Sequence, residues 1–256
     1  MNRQYPSILK SIILFFLSLI FCSCNSESEK LVLDKEELKT DTTKKNEKVD
    51  VQKVDSILIN KLIDIQEVNP RILVDLKYAT SDNFMKTKLY SRLNRAYLQK
   101  DVALRLSHCQ DYLSQIKPGY KLLIYDAVRP VSVQQKMWDA MDSLPPLDRG
   151  KYVSNPRNRS LHNLGAAVDL TICDETGEPL DMGAGYDEFR KIAYPELERE
   201  FLQSGELTKQ HIENRELLRK VMRKEGFRNI PTEWWHFNAC SRKVGLSKYQ
   251  VLMEEP

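Results

Sequence analysis

The chain has 256 residues, of which 41% are hydrophobic and 29% are charged, and its formal net charge is +3. This length and composition provide for one hydrophobic core of ordinary domain size, and they argue against a largely disordered chain, a collagen-like repeat or a polytopic membrane protein. A net charge this small gives no electrostatic footprint for nucleic acid, so we expect no nucleic-acid partner.

The first 24 residues resemble an export signal. Basic residues at Arg3 and Lys10 accompany an apolar run over 12–21, which is too short to span a bilayer comfortably. A small residue before Cys24 is typical of a bacterial lipoprotein cleavage site. We therefore predict a lipoprotein-type signal over 1–24, lipidation of Cys24, and an exported protein anchored in the cell envelope. A soluble secreted protein is the alternative, and a buried helix is a third interpretation, although Lys10 fits a core poorly.

A highly charged segment follows the signal. Residues 25–56 contain nine acidic and seven basic residues and no aromatic residue. Such a stretch cannot bury enough apolar surface to offset chain entropy, so we predict a disordered tether. No internal repeat is visible afterwards, which predicts a single domain over 57–256.

The hydrophobic patterns of this domain alternate irregularly between strand and helix. In chain order they predict a strand at 72–78, a helix at 95–116, a strand at 122–127, a helix through Met137 and Trp138, a strand at 166–173, an amphipathic helix at 208–225 and a strand at 234–239. Regular βαβ alternation is absent from this order. We therefore predict an α+β fold, with a mostly antiparallel sheet flanked by helices.

Two histidines lie near carboxylates and bulky aromatic residues. Alternation along the strand at 166–173 places Asp169 on the face opposite the large apolar side chains, and Gly165 lets the preceding loop bend so that His162 approaches Asp169. Together with His236, these residues could form a three-ligand zinc site on the sheet, with an open position for water. The alternative for His236 is an ordinary half-buried residue in an aromatic strand.

Glu233 and Arg129 complete the candidate chemistry. Glu233 is a candidate general base, although residues three apart in a regular strand face opposite ways, so Glu233 and His236 require a bend in the chain. Arg129 precedes Pro130, which holds it extended at the end of a strand, where it could stabilise a developing oxyanion. The alternative for Arg129 is a surface salt bridge with Asp126.

Three motifs in this order resemble a known family. Ser-x-His-x6-Asp at 160–169, Glu-x-Trp-His at 233–236 and Asp-x-x-Arg-Pro at 126–130 look like the D-alanyl-D-alanine dipeptidases, the VanX-like branch of the zinc D,D-peptidases, over residues 65–240. The resemblance implies one zinc ion per chain with ligands His162, Asp169 and His236, Glu233 as catalytic base, Arg129 stabilising the tetrahedral intermediate, and Asp126 supporting that arginine.

The same resemblance implies a binding site for a small dipeptide. Tyr78 matches a substrate-binding tyrosine in the family's N-terminal signature, and Tyr90 matches a second one, at a shorter interval here. Asp187 matches the acid that receives the substrate ammonium, with Ser160 nearby. Core packing with a hydrogen-bonded hydroxyl is the alternative for both tyrosines.

The implied function is zinc-dependent hydrolysis of D-Ala-D-Ala in the cell envelope, with Glu233 acting on a metal-activated water. A D,D-carboxypeptidase, a peptidoglycan endopeptidase and a non-catalytic zinc-containing binding module are the alternatives, and we expect no protein partner. Because an exported enzyme is poorly placed to destroy a cytoplasmic precursor pool, we expect a role in turnover or scavenging of wall-derived dipeptides.

The remaining histidines and cysteines are interpreted as structural. His108 and His211 fall on predicted helices away from the motifs. Cys109, Cys173 and Cys240 remain after the signal, and this odd number permits one intramolecular disulfide at most. A bond between Cys173 and Cys240 and a set of free thiols are both open.

Overall fold

A five-stranded sheet forms the centre of the protein in the computed structural model, which describes residues 62–255. The strand order is β2-β4-β5-β7-β6; β2 and β4 are parallel, and the other three pairs are antiparallel. A separate antiparallel pair is formed by β1 and β3. The strands are β1 (Ile63–Asp64), β2 (Leu73–Val74), β3 (Tyr97–Leu98), β4 (Lys121–Asp126), β5 (Ala167–Cys173), β6 (Arg228–Ile230) and β7 (Glu233–Asn238). The prediction of an α+β fold with a mostly antiparallel sheet is confirmed.

Helices surround this sheet. They are α1 (Ile65–Val68), α2 (Lys100–Ile116), α3 (Val131–Asp139), α4 (Pro146–Arg149), α5 (Glu198–Ser204), α6 (Lys209–Lys224) and α7 (Arg242–Lys248). The long helices α2 and α6 contact each other and share the main hydrophobic core with β4 and β5. Leu106 and Leu113 of α2 are fully buried there, together with Leu218 and Val221 of α6. By alternation along the strands, the side chains predicted to bind metal belong on the sheet face that these apolar side chains leave free.

Two of the predicted elements are shorter than their sequence patterns. The predicted strand at 72–78 ends after Val74, and Lys77–Ala79 form a 3-10 turn. The chain turns there because the carbonyl of Tyr78 accepts hydrogen bonds from the backbone N–H groups of Leu89 and Tyr90. The helix predicted from residue 95 begins at Lys100, since Tyr97 and Leu98 pair with β1 instead. Both corrections come from contacts that are distant in sequence.

Several sequence predictions lie outside the described residues. The signal over 1–24, the lipidation of Cys24, the tether over 25–56 and the start of the domain at 57 all fall there. Within residues 62–255, no helix has the length and hydrophobicity needed to cross a membrane.

The three cysteines that follow the predicted signal are unpaired, and the two remaining histidines lie on helices. Cys109, Cys173 and Cys240 are free thiols, so of the two alternatives for the cysteines the structure has the unpaired one. His108 lies on α2 and His211 on α6, as predicted.

The C-terminal segment is tied to the loops beside the candidate site. The N–H of Leu252 donates to the carbonyl of Asn163, and the N–H of Val131 donates to the carbonyl of Leu252. The carboxylate of Glu255 accepts hydrogen bonds from the backbone N–H groups of Ser91, Arg92 and Leu93, at 2.7 to 3.0 Å. This buried carboxylate thus holds the loop that follows Tyr90.

Glu255→Ala is expected to lower the free energy of unfolding by about 1–3 kcal/mol, because three backbone donors lose their acceptor. Burial raises the pKa of Glu255, but these hydrogen bonds outweigh burial and leave the pKa below its usual value. A lowered pKa stabilises the fold above the ordinary glutamate pKa, and this stabilisation is lost as the pH falls through the folded-state pKa. Urea unfolding at pH 7 and at pH 3 measures both effects. Glu216→Ala, an exposed residue on α6, is the matched control; equal losses for the two variants would contradict the expected role.

Candidate active site

Three side chains predicted as metal ligands meet on the central strands. Asp169 of β5 lies directly opposite His236 of β7 in the strand register. His162 belongs to the short 3-10 turn His162–Leu164, which precedes β5. Gly165 ends this turn with a φ of 62°, a left-handed conformation that favours glycine, and an added Cβ would lie 3.3 Å from the backbone nitrogen of Gln99. The bend predicted at Gly165 is therefore present.

The distances between the donor atoms are slightly shorter than those around a tetrahedral metal ion. His236 Nδ1 lies 2.9 Å from Asp169 Oδ1 and 3.1 Å from His162 Nε2, and His162 Nε2 lies 3.3 Å from Asp169 Oδ1. Ligand bonds of about 2.0–2.1 Å in tetrahedral geometry separate the donors by about 3.4 Å. These residues form one candidate metal-binding group among the described residues. A small expansion of this cluster would accommodate zinc.

Hydrogen bonds from the outer ring nitrogens fix how both histidines present their lone pairs. His162 Nδ1–H donates to the carbonyl of Ala127 at 2.6 Å, and His236 Nε2–H donates to Oδ1 of Asn238 at 2.9 Å. When the imidazoles are neutral, the inward-facing nitrogens are therefore the ones available to a metal. Such outer partners orient metal-binding histidines and set their tautomers.

The carboxylate of Asp169 is similarly oriented. Its Oδ1 faces the histidines, whereas its Oδ2 accepts a hydrogen bond from the hydroxyl of Tyr186 at 3.2 Å and a weaker one from Arg129 at 3.4 Å. Burial raises the pKa of Asp169, but the two histidines outweigh burial and lower the pKa overall. In turn, burial lowers the pKa of His236, while the hydrogen bond to Asp169 raises it to about 9. The cluster therefore favours a proton on His236, and a bound metal ion would replace this proton.

Glu233 reaches the metal cluster through the bend that its spacing from His236 requires. The register between β6 and β7 shifts between Asn229 and Ile230, so Ile230 lies opposite Glu233 while Asn229 lies opposite Phe237. Glu233 Oε2 consequently lies 3.9 Å from His236 Nδ1. Burial raises the pKa of Glu233, which moves the carboxylate toward the proton affinity required of a general base at neutral pH.

Arg129 forms an ion pair with Asp126, which was the alternative interpretation of this residue, and it also lines the cavity. Its Nε donates to Oδ2 of Asp126 at 2.8 Å, and its guanidinium lies 4.9 Å from the centre of the Tyr78 ring. Asp126 is fully buried, so this pair is not a surface salt bridge. The Tyr90 hydroxyl donates to Asp126 Oδ1 at 2.5 Å. Tyr90 therefore lies behind the arginine, as its core-packing alternative describes.

A cavity of about 260 Å³ opens beside the metal cluster. This volume is below the usual range for sites that bind drug-sized molecules, which indicates a small ligand. The residues predicted from the sequence that line it are Tyr78, Arg129, Ser160, His162, Asp169, Asp187, Glu233 and His236. The Ser160 hydroxyl is engaged with Gln134, to whose Oε1 it donates at 2.8 Å.

Asp187 presents an unsatisfied carboxylate oxygen. Its Oδ1 accepts a hydrogen bond from the Tyr78 hydroxyl at 3.0 Å, whereas its Oδ2 is buried and has no hydrogen-bond partner among the described residues. The backbone at Asp187 has a φ of 59°, which is strained for a residue other than glycine. Burial, followed by the charge of Asp169, raises the pKa of Asp187 to about 8. A cationic ligand group would satisfy this oxygen.

The sequence analysis did not identify the residues whose side chains form hydrogen bonds with the predicted metal ligands. Asn238 lies two positions after His236 on the same strand face, and this spacing was a signal that could have identified it. Tyr186 stands beside Asp187 in sequence, but no local pattern shows that its hydroxyl reaches Asp169.

This arrangement defines a class of protein. Two histidines and one carboxylate, with hydrogen-bonded outer nitrogens, a neighbouring glutamate and an arginine across the cavity, are the components of a metal-dependent hydrolase.

Comparison with known proteins identifies the family within this class. The family profile Peptidase_M15, described as D-ala-D-ala dipeptidase, matches residues 59–251. The D-alanyl-D-alanine dipeptidase of Escherichia coli is 35% identical over 177 residues, which cover 69% of this chain and 83% of that protein. That of Enterococcus faecalis is 30% identical over 192 residues, which cover 70% of this chain and 91% of that protein. The chain belongs to the D-Ala-D-Ala dipeptidase family. The predictions of this family and of a zinc metallopeptidase are thereby confirmed.

Proposed function

We propose that this protein hydrolyses the free dipeptide D-alanyl-D-alanine, using one zinc ion per chain. The observation that carries the proposal is the pairing, across one small cavity, of a metal-binding cluster with the buried, unpartnered oxygen of Asp187. Membership of the dipeptidase family supports the choice of substrate.

His162, Asp169 and His236 would hold the zinc ion. When bound, zinc supplies Lewis acidity, which lowers the pKa of water and polarises a carbonyl group. The donor set of two neutral imidazoles and one carboxylate is typical of catalytic zinc sites, which leave one position open.

Glu233 transfers the proton, and Arg129 stabilises the negative charge that develops on the substrate. Glu233 accepts a proton from the attacking water and returns it to the nitrogen of the leaving alanine. Its carboxylate lies beside the metal-binding cluster, 3.9 Å from His236 Nδ1, which supports this role. Arg129 donates to the oxyanion that forms on the scissile carbonyl, and its ion pair with Asp126 fixes the guanidinium in place.

The ends of the dipeptide determine selectivity. Asp187, held by the Tyr78 hydroxyl, receives the substrate ammonium, and Ser160 lies on the wall of the same cavity. A substrate with a blocked amino terminus would leave the Asp187 carboxylate without its partner in a buried site, and such unpaired groups strongly disfavour binding.

Export and lipid anchoring complete the proposal, and they rest on residues 1–24 alone. An anchored enzyme would act on dipeptides released from the cell wall. Cys24→Ser is expected to move the protein from the membrane fraction to the soluble fraction, and palmitate labelling of the wild-type chain provides a direct measurement. Unchanged fractionation with no label would contradict the lipid anchor.

Alanine release from three substrates tests the proposed function. D-Ala-D-Ala, L-Ala-L-Ala and a muramyl pentapeptide are compared with and without a chelator, followed by addition of zinc. We expect zinc-dependent hydrolysis of D-Ala-D-Ala above the other two. Preferential cleavage of the pentapeptide would replace the dipeptidase by a D,D-carboxypeptidase. Absence of zinc-dependent release from all three would leave a binding module.

Asp187→Asn is expected to raise the KM for D-Ala-D-Ala by about 10–100-fold, because a charge-assisted hydrogen bond of about 1.5–3 kcal/mol is lost. The variant should also discriminate less against N-acetyl-D-Ala-D-Ala, whose amino end carries no charge. Steady-state kinetics on both substrates measure these changes. Asp139→Asn, at an exposed position on α3, is the control. An unchanged KM would contradict the ammonium-binding role.

The raised pKa of Asp187 predicts that the KM for D-Ala-D-Ala falls as the pH rises. Burial raises this pKa to about 8 in the free protein, so the carboxyl is largely protonated at pH 6. Because an ammonium ion favours the ionised carboxylate, the wild-type KM should fall as the pH rises from 6 to 8, and this trend should be absent in Asp187→Asn. Conversely, the stability that the neutral carboxyl gives the free protein should decrease over the same interval.

A further inference from the structure

The side-chain amide of Asn229 lies against the backbone of the segment that bears Glu233 and His236. Asn229 Nδ2 donates hydrogen bonds to the carbonyl oxygens of Glu233 and His236, each at 2.8 Å, and a longer one to that of Trp234 at 3.4 Å. All three partners are carbonyl groups, which only accept hydrogen bonds, so the NH2 group must face them. One side chain therefore bridges both ends of the Glu-x-Trp-His motif.

This amide occupies a gap in the pairing between β6 and β7. Asn229 lies opposite Phe237, but the next residue of β6, Ile230, lies opposite Glu233. Residues 234–236 of β7 consequently have no residue of β6 opposite them, while His236 still pairs with Asp169 on the other side. Asn229 supplies side-chain donors where a regular β6 would supply backbone N–H groups.

The irregularity in pairing accounts for the position of Glu233. In a regular strand, two residues at a spacing of three would face opposite sides of the sheet. Here Glu233 Oε2 and His236 Nδ1 lie 3.9 Å apart. The carbonyls that Asn229 binds belong to these same two residues, so its amide fixes the separation of their backbones.

The oxygen of the Asn229 side chain, unlike its NH2 group, makes no hydrogen bond that would stabilise the fold. Among the described residues, Asn229 Oδ1 is buried and has no hydrogen-bond partner. A buried, unpaired oxygen opposes folding, which offsets part of the stability gained from the donor end. Stability alone therefore gives a weak account of an asparagine at this position.

We propose that Asn229 is a positioning residue that sets the spacing between the general base Glu233 and the metal ligand His236. This inference rests on the proposed function for the role of Glu233, and on the three-residue metal cluster for the role of His236. Asn229 is not among the residues that line the cavity, and its amide donates only to backbone carbonyls, so it acts through the backbone of β7.

Asn229→Ala and Asn229→Asp test this role, with Arg228→Ala as the matched control on the same strand. The alanine variant loses both strong hydrogen bonds, and the aspartate variant keeps the shape but presents only acceptors when ionised. Loss of an outer partner of a metal site typically lowers metal affinity or activity by about 10–100-fold. We expect a fall of that size in kcat for D-Ala-D-Ala, with KM changed less than about threefold, in both Asn229 variants and not in Arg228→Ala.

Zinc affinity provides a readout that does not depend on turnover. Competition with a chromophoric chelator should show weaker zinc binding by about tenfold in Asn229→Ala, and the absorption spectrum of the cobalt-substituted protein should change. If the alanine variant fails to fold, Asn229→Ser, which keeps one short donor, replaces it and should show the same changes in part.

The outcomes separate this inference from the proposed function. A lower melting temperature with unchanged zinc affinity and unchanged kcat per bound zinc would show that Asn229 only fills the gap in the sheet, and would overturn the proposal. If the wild-type protein does not hydrolyse D-Ala-D-Ala, the proposed function fails. The zinc competition then decides the positioning of His236 on its own.

Discussion

Glu233→Gln is expected to lower kcat for D-Ala-D-Ala by about 10²–10⁴-fold, the usual contribution of a positioned general base, while the zinc content stays the same. The amide keeps the size of the side chain but cannot accept the proton of water. Zinc is retained because His162, Asp169 and His236 form the cluster without Glu233. Alanine release gives kcat, and atomic emission measures zinc per chain.

Glu216→Gln, an exposed glutamate on α6, is the matched control and should behave as the wild type. A second variant, Glu233→Ala, should likewise lose turnover and keep zinc. Loss of zinc from either Glu233 variant would assign Glu233 to the metal rather than to the proton. Full activity with full zinc content would remove Glu233 from the mechanism.

Arg129→Ala is expected to lower kcat by about 10²–10³-fold, the effect of removing one preorganised donor to an oxyanion. It should also lower the melting temperature, because Asp126 is fully buried and would lose its cationic partner. Arg129→Lys separates these two effects. A lysine restores a positive charge beside Asp126, but it lacks the planar group that binds Asp126 while directing further donors elsewhere.

The lysine variant should therefore recover more of the melting temperature than of kcat. Calorimetry and steady-state kinetics on the same samples provide the comparison. Equal recovery of both quantities would indicate that Arg129 acts only through its ion pair. A kcat within threefold of the wild type in Arg129→Ala would contradict oxyanion stabilisation.

Local sequence patterns predicted the central elements because their causes are local. Alternation and burial identify β5, and helical periodicity identifies α2 and α6 within a few residues. The early end of β2 was not predictable in this way. Its cause is the carbonyl of Tyr78, which binds the backbone of Leu89 and Tyr90 in a later loop.

The candidate site shows the same division between local and distant causes. The sequence motifs, together with the family that they resemble, group the three metal ligands with Glu233, and the distances between their side chains agree with that grouping. The family resemblance, which implied both tyrosines, could not distinguish Tyr78, which lines the cavity, from Tyr90, which lies behind Arg129. That distinction depends on how two loops pack, which no local repeat records.

The strand pairing between Asp169 and His236 has a consequence for how the protein acquires its metal. Two of the three ligands are cross-strand neighbours inside a sheet that is held by its own backbone hydrogen bonds and apolar core. Small zinc domains, in contrast, depend on the ion for their fold. Here the polypeptide can reach its native state first and load the ion afterwards. The protein should therefore remain folded when a chelator removes the metal ion. The folded apoprotein should then be able to bind a different divalent ion.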